Sequence, residues 1–302
     1  CYNTNINQKE VTMMGIDNDF WSNNESNTVL LNNLKSKDEA IVFTINMFKG
    51  GVGKSTLSNL LGYISNRYNL KILFVDTDPQ RTLTKKLEKN FDTKKEAELS
   101  FMDGIKIGTL KKSISNLSGS IDIIKGDWNL AWFDRFSRRS LNIKDEFYVY
   151  SNLIEDLKKD YDFIIFDSVP TTTTLTHNCI VASDYVLVPV ESEEDCFDNS
   201  IDYMTYLSQM KKYNNSLDVL GIIIYLTEEN NKTNSKYVNK YREEYEDIVF
   251  KNIITRSKRV MTWGADGITE NKPYDKKTLD KYKKVFWEML YRLYERGLFD
   301  GQ

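Results

Sequence analysis

Seven short apolar runs follow one another along the chain from residue 40, and polar stretches with helical periodicity separate most of them. Their sequences are AIVFTIN, KILFVD, IDII, FIIFD, DYVLVPV, VLGIIIYL and IVFKNII, at residues 40–46, 71–76, 121–124, 163–167, 184–190, 219–226 and 248–254. Apolar strands that alternate with helices are typical of parallel pairing, with helices covering the sheet. The pattern therefore predicts an α/β fold with a doubly wound, mostly parallel sheet and helices on both faces.

Two segments place their apolar residues on one face of a helix. In residues 54–68 this face consists of Leu57, Leu60, Leu61, Ile64 and Tyr68. In the last predicted helix it consists of Leu279, Tyr282, Phe286, Met289, Leu290 and Leu293. Because a helix that packs against a sheet needs such a stripe, we expect both helices to cover the sheet.

Residues 1–38 differ in composition from the rest of the chain. They are rich in Asn, Ser and Asp, and their few apolar anchors are Trp21, Leu30, Leu31 and Leu34. A segment with so few apolar residues cannot build a core of its own. We therefore expect residues 1–38 to form a partly ordered N-terminal arm with one short helix, and residues 39–302 to form a single domain.

The composition is that of a globular protein, because 40% of the 302 residues are hydrophobic and 13% are aromatic. The net charge of -3 indicates neither a nucleic acid nor a membrane as partner. Cys1, Cys179 and Cys196 share no metal-ligand spacing, and so small a number favours a reducing compartment. With no apolar run of about 18 residues and no basic leader, we expect a cytoplasmic protein.

The segment FKGGVGKST, residues 48–56, follows a predicted strand and opens a predicted helix. In that context the backbone N–H groups of a glycine-rich loop close around phosphate oxygens. A glycine-rich turn that binds nothing is the alternative, and the matching strand, loop and helix disfavour it. Lys54 is expected to neutralise the β- and γ-phosphates, Ser55 to bind Mg²⁺ and Thr56 to cap the α-phosphate. The residues of this loop predicted to contact the nucleotide are Gly50, Gly51, Val52, Gly53, Lys54, Ser55 and Thr56.

Three carboxylates follow predicted strands at the edge of the sheet where this loop lies. Asp76 and Asp78 come at the end of one strand, and Asp167 ends another. Open α/β sheets bind ligands at the carboxyl ends of their strands, and Mg²⁺ prefers oxygen ligands and retains several waters. We therefore expect a magnesium site here, although each single carboxylate could instead be a helix cap.

Four segments, KGGVGKST, VDTDPQRTLT, YDFIIFDSVP and ASDYVLVPV, resemble the ParA/MinD group of P-loop ATPases, and within it the ParA-type partition ATPases. The resemblance covers about residues 40–296. It implies that Lys49 reaches across an ATP-bound homodimer to the phosphates of the other subunit. It also implies that Asp78 orients the attacking water, that Asp76 supports the metal site and that Asp167 holds Mg²⁺ through water. Hydrolysis is expected to be slow until a partner completes the site, with Lys49, Lys54 and Asp78 as the catalytic residues.

The sequence departs from the ordinary phosphate loop in one place and from that family in another. Phe48 stands where the usual loop has its first glycine, and Val169-Pro170 stands where two prolines usually follow the Walker B aspartate. A threonine-rich stretch, TTTTLT, comes directly afterwards. The second departure puts the geometry of the second switch loop in doubt, and it leaves the metal role of Asp167 intact.

A basic region near the C-terminus is the candidate DNA surface. Residues 256–284 contain nine basic and four acidic side chains, a formal charge of +5. Clustered cations suit contacts with the phosphate backbone, and the resemblance implies binding of nonspecific DNA by the ATP dimer. A solvated lysine-rich helix face is the alternative. The predicted DNA contacts are Arg256, Lys258, Arg259, Lys276, Lys277 and Lys281.

The family resemblance implies further partners and leaves other functions to be weighed. Its members work with a centromere-binding adaptor, a ParB-type or small ribbon-helix-helix protein, and associate with the nucleoid. A membrane-surface ATPase of the MinD kind is the alternative, but the C-terminal segment RLYERGLFDGQ is short and mixed in charge, so no membrane partner is expected. A cluster-bridging redox ATPase is disfavoured by the cysteine spacing, and a sequence-specific autorepressor by the short arm.

Overall fold

The computed structural model describes residues 24–140, 145–228 and 231–297. Its eight strands form one sheet in the order β3-β4-β2-β5-β1-β6-β7-β8. Every neighbouring pair is parallel except β3 and β4. The predicted doubly wound, mostly parallel sheet is therefore confirmed. The strands are β1 Ile41–Ile45, β2 Ile72–Asp76, β3 Ile114–Asn116, β4 Ile121–Ile124, β5 Phe163–Asp167, β6 Tyr185–Glu191, β7 Asp218–Thr227 and β8 Ile254–Thr255.

Eleven α-helices lie in the described parts of the chain, and most of them lie between successive strands. Helices are required between parallel strands because each crossover must return the chain to the same end of the sheet. The helices are α1 Asn24–Lys35, α2 Lys54–Arg67, α3 Thr82–Asn90, α4 Phe101–Ile107, α5 Phe133–Ser140, α6 Val149–Ile154, α7 Thr174–Val181, α8 Glu194–Met210, α9 Lys232–Tyr245, α10 Lys258–Asp266 and α11 Pro273–Glu295. None of them is long and apolar enough to cross a membrane.

The two faces of the sheet carry separate cores. Phe43 of β1 packs on the face covered by α2 and α11, whereas its neighbour Val42 packs on the face covered by α6 and α7. The side chains predicted for the two stripes are buried there, with Tyr68 partly buried at the end of its helix. Because the strands are covered on both sides, all five residues of β1, of β2 and of β5 are buried.

The helix predicted within the N-terminal arm corresponds to α1, and it packs against α11. Leu30 and Leu34 are almost fully buried in the core that α2 and α11 share with the sheet. The first 23 residues, which include Trp21, lie outside the described residues. Part of the arm therefore contributes directly to the core.

Two strand predictions need correction. The short antiparallel strand β3 was not predicted, and the run at 248–254 reaches the sheet only through β8 and a single bridge between Val249 and Ile222. The chain turns away because the buried carboxylate of Glu288 in α11 accepts hydrogen bonds from the backbone N–H groups of Lys251 and Asn252, at 2.7 and 2.9 Å. An apolar run does not reveal that its backbone is bonded to a distant side chain.

Replacing Glu288 with Gln is expected to lower the free energy of unfolding by about 2–4 kcal/mol. Glu288 is 2% exposed and also pairs with Arg292 at 3.1 Å, so the substitution leaves a partly buried guanidinium without its counter-ion. The shift of the urea unfolding midpoint measures the effect. Glu243→Gln, on the exposed face of α9, is the matched control and should leave the midpoint unchanged. Equal midpoints for both variants would contradict this role.

Candidate nucleotide-binding site

The glycine-rich loop connects β1 to α2, and its conformation depends on two glycines. Gly51 and Gly53 have φ values of +83° and +88°, a region that side chains with a Cβ rarely adopt. A Cβ on Gly53 would also lie 2.4 Å from the ring of Tyr225 in β7. Any other residue at position 53 would therefore force the loop away from the sheet.

Lys54, the first residue of α2, lies at the centre of the loop. Its Nζ donates to the carbonyl oxygens of Met47 and Lys49, at 3.2 Å each. Burial lowers the pKa of the Lys54 ammonium, and the negative charge of Asp167 opposes that effect. Within the described residues its hydrogen bonds go only to neutral carbonyls, so this cation is available to a bound anion.

Asp167 ends β5 directly beside the loop. It is buried, and its Oδ1 accepts a hydrogen bond from Ser58 Oγ at 3.2 Å. Burial, followed by the neighbouring Asp76 carboxylate, raises the pKa of Asp167, while the hydroxyls of Ser55 and Ser58 oppose the rise. A bound cation would relieve the repulsion between the two carboxylates.

Asp76 does not occupy the position predicted for it in the metal site. Its Oδ2 accepts hydrogen bonds from the backbone N–H and the hydroxyl of Thr84, at 2.8 and 2.7 Å, and its Oδ1 accepts one from the Asp78 N–H. The side chain is fully buried and does not line the cleft beside the loop. Asp76 therefore holds the loop that carries Asp78, because its oxygens are already bonded to the protein.

Asp78 does reach that cleft. Its Oδ1 caps the turn by accepting from the Gln80 N–H at 2.8 Å, and its Oδ2 lies 3.3 Å from the hydroxyl of Thr82. The cleft has a volume of about 270 Å³ and faces solvent between the loop, α3 and the end of β5. The structure thus brings a carboxylate to the phosphate loop. The cleft is lined by Gly50, Gly51, Gly53, Lys54, Ser55, Thr56, Asp78, Thr82, Lys86, Asp167, Ser168, Val169 and Pro170.

Lys49 is outside this group, and so is Val52, whose side chain is buried below the loop. The Lys49 ammonium pairs with Glu193, at the start of α8, at 3.1 Å, and with Glu191, at the end of β6, at 3.8 Å. Burial opposes the charged form, but the hydrogen bond and charge of Glu193 prevail, and the pKa of Lys49 is raised. Lys49 is thus a charged lysine that points away from its own phosphate loop.

Two further residues, which the motifs did not predict, belong to the site or support it. Phe48 packs between Tyr203 and Tyr206 of α8, with ring centroids 4.8 and 5.1 Å apart, so the residue that replaces a glycine anchors the loop. Lys86 of α3 lines the cleft although no motif includes it. The only indication in the sequence was its position in the helix that follows Asp78. His177, by contrast, packs among aromatic rings and has no place in the cleft.

The oxygens present fit a magnesium ion. No group of three or more His, Cys, Asp or Glu side chains in the described chain is arranged to hold a metal. Mg²⁺ does not need one, since it retains several waters and takes further oxygens from a bound phosphate. Ser55 and Asp167 both line the cleft, and the second carboxylate behind them adds negative charge.

The predicted DNA-binding residues fall into two groups. Lys258, Lys276 and Lys277 are exposed at the starts of α10 and α11, and exposed Arg256 lies 3.5 Å from Glu228. Arg259 does not fit the prediction, because its guanidinium is bonded to the fully buried carboxylate of Asp275 and to Thr269 at 2.6 Å. Lys281 donates to Thr255. Arg259 therefore joins α10 to α11 as a structural residue.

The fold and the loop together define a P-loop nucleotide-binding protein. The sequence profile of a family described as an AAA domain matches residues 38–219, which is more than half of the chain, and the chain belongs to this family. The chromosome partitioning protein ParA of Caulobacter vibrioides is 23% identical over 219 residues, which cover 70% of this chain and 79% of ParA. These matches confirm the predicted ParA/MinD group of P-loop ATPases.

Solved structures share the fold. A variant of McdA from Cyanothece, in complex with ATP, has a TM-score of 0.73 at 20% identity and covers 85% of this chain and 97% of its own. Cobyrinic acid a,c-diamide synthase from Mycobacterium smegmatis, with an ATP analogue and magnesium, has a TM-score of 0.70 at 21% identity, over 85% of this chain and 96% of its own. The likeness extends over nearly the whole length of both neighbours.

Proposed function

We propose that the protein is a dimeric, ATP-dependent partition ATPase that binds nonspecific DNA and segregates plasmid or chromosomal DNA. The observation that carries the proposal is that two lysines of the loop segment point in different directions. Lys54 fills the phosphate loop, whereas Lys49 points out of it towards two glutamates. A second lysine that cannot serve its own cleft is suited to the phosphates of a facing subunit.

ATP and Mg²⁺ are the proposed ligands of the cleft. Lys54 neutralises the phosphates, the loop N–H groups orient them, and Ser55 and Asp167 hold the metal, Asp167 through water. Mg²⁺ supplies charge neutralisation at the phosphates. Asp78 positions the attacking water, and this kind of catalysis consists mainly of positioning and charge stabilisation. The cleft of an isolated subunit lacks the Lys49 of a facing subunit. Slow hydrolysis is therefore expected until the dimer has formed and the partner protein is bound.

Electrostatic attraction between Lys49 and the phosphates of the opposite subunit supports the proposed dimer. Two triphosphates that face each other repel strongly unless cations from the opposite subunit separate them. Lys49 of each subunit would exchange Glu191 and Glu193 for the phosphates of the other subunit. ATP, with one phosphate more than ADP, would stabilise the dimer more strongly, and nucleotide state would control assembly.

The cargo and the adaptor are also part of the proposal. The exposed lysines of α10 and α11 suit phosphate-backbone contacts, and a dimer would present two such surfaces. The segments SDYVLVPV, VFKNIITRSKRV and WGADGITENKPYDKK resemble the delta partition protein of streptococcal plasmids. That resemblance favours a plasmid cargo and a small centromere-binding adaptor, with the ATPase located in the cytoplasm on the nucleoid.

A gel-shift series with a long DNA fragment of arbitrary sequence tests this function. Wild-type protein is expected to retain the fragment with ATP and to release it with ADP. The double variant Lys276→Ala/Lys277→Ala should bind DNA about tenfold more weakly. The slope of the logarithm of the binding constant against the logarithm of the salt concentration should also become less steep, by the amount that corresponds to about two lost phosphate contacts per subunit. The change is expected to be the same for unrelated DNA sequences.

The matched control for that series is Lys111→Ala/Lys112→Ala, a second pair of adjacent exposed lysines at the far edge of the sheet. It should bind DNA like the wild type. Equal losses in both double variants would indicate a general charge effect and no defined DNA surface. Binding that ignores ATP, or a preference for anionic vesicles over DNA, would favour the membrane-surface alternative.

A further inference from the structure

Two adjacent lysines of α3 have different surroundings. Lys85 is exposed, whereas Lys86 turns into the cleft and donates from Nζ to the hydroxyl of Thr56 at 3.0 Å. Thr56 is the third residue of α2 and therefore lies in its first turn, where the helix end favours anions. Lys86 thus brings a second ammonium to the cleft, in addition to that of Lys54.

Lys86 forms no ion pair with the part of the chain that the structure describes. Within the described residues its side chain makes a hydrogen bond to a neutral hydroxyl, and no carboxylate pairs with it. Partial burial lowers the pKa of Lys86, and the charge of Asp167 across the cleft opposes the decrease. A half-buried ammonium with no counter-ion is costly unless a ligand supplies the negative charge.

Helix α10 lies beside Lys86. A Cβ placed on Gly264 would lie 3.8 Å from Lys86 Nζ, an ordinary contact distance. The loop after α10 is bonded to the end of α3, because Asn90 Oδ1 accepts from the Ile268 N–H at 3.0 Å. Lys86 therefore lies between α2 and α10, next to Thr56.

We propose that Lys86 is a further phosphate-contacting residue, whose ammonium pairs with the phosphate oxygens that the Thr56 hydroxyl holds in a bound nucleoside di- or triphosphate. The inference rests on the proposed ATP site. An anion that accepts from Thr56 lies within reach of Nζ, since the two groups are already 3.0 Å apart. Thr56 is expected to cap the α-phosphate, so the contact is made by ADP and ATP alike.

Equilibrium titrations with fluorescent ADP and ATP test this contact. Lys86→Gln should raise the dissociation constants of both nucleotides by the same factor, about tenfold or more, because a charge-assisted hydrogen bond is lost. Lys86→Arg retains the charge and should recover most of the affinity. The neighbouring exposed lysine provides the control, and Lys85→Gln is expected to stay within about twofold of the wild type.

Three results would overturn the inference. The first is that Lys86→Gln leaves both dissociation constants unchanged, and the second is that it affects ATP only, as a dimer contact would. The third is that it lowers the melting temperature of the nucleotide-free protein along with nucleotide affinity, which would make Lys86 a structural residue. If the wild-type protein binds neither nucleotide, the proposed ATPase function fails as well. Normal wild-type binding with an unaffected Lys86→Gln variant contradicts the Lys86 contact alone.

Discussion

Lys49→Ala is expected to bind ATP with nearly wild-type affinity and to remain a monomer, so that it loses both dimerisation and DNA retention. Lys49 does not line its own cleft, which is why nucleotide binding by the single subunit should persist. Each dimer would lose two desolvated cation–phosphate contacts, and the dimer dissociation constant should rise by at least about 100-fold. Sedimentation velocity with ATP, with ADP and without nucleotide measures the change.

The matched control is Lys85→Ala, which removes an exposed lysine from the same edge of the sheet. This variant should form the ATP-dependent dimer like the wild type. A second comparison uses Glu193→Gln, which frees Lys49 from its shorter ion pair without changing the lysine itself. If Lys49→Ala dimerises normally with ATP, or if it fails to bind ATP as a monomer, the proposed role across the subunit interface is wrong.

Asp78→Ala is expected to trap the ATP-bound dimer. Within the described residues the carboxylate is hydrogen-bonded to Gln80 and Thr82 and not to Lys54, so its removal should leave ATP binding and dimerisation in place. Loss of the group that positions water should lower the rate of hydrolysis by about 100-fold to 10,000-fold. Phosphate release under single-turnover conditions, measured together with the lifetime of the dimer, separates the chemical step from assembly.

Asp103→Ala serves as the control for that experiment, because Asp103 is a surface carboxylate of α4 that pairs with Lys106. It should hydrolyse ATP at the wild-type rate. Unchanged hydrolysis in Asp78→Ala would remove Asp78 from its proposed role. A variant that hydrolyses ATP slowly but no longer forms a dimer would instead show that the loop after β2, which Asp76 holds, had lost its native conformation.

Local patterns predicted the sheet and the loop because both depend on short stretches of sequence. Apolar runs with helices between them are sufficient for a doubly wound sheet, and GGVGKS is sufficient for a phosphate loop. The carboxyl ends of parallel strands lie at the same edge of the sheet, so the sequence alone predicted that Asp78 and Asp167 lie near the loop. In each case the residues that matter are neighbours in sequence or follow from the regular geometry of the sheet.

The features that sequence patterns did not predict depend on contacts between distant segments. The packing of α3 beside α2 and α10 determines that Lys86 points into the cleft and that Lys85 faces solvent. Asp76 and Arg259 looked available for a metal and for DNA, yet Thr84 and Asp275 occupy their polar atoms. A charged residue in a motif shows which chemistry is available, and only the fold shows whether its hydrogen bonds are already used.

The tyrosine that leaves no room for a side chain at Gly53 has a further consequence. Its hydroxyl is 2.6 Å from that of Tyr282 in α11, and both rings are buried. One buried hydrogen bond therefore joins the strand beneath the phosphate loop to the helix whose first turns carry Lys276 and Lys277. This pair of rings links the phosphate loop to the candidate DNA surface through the core of the protein.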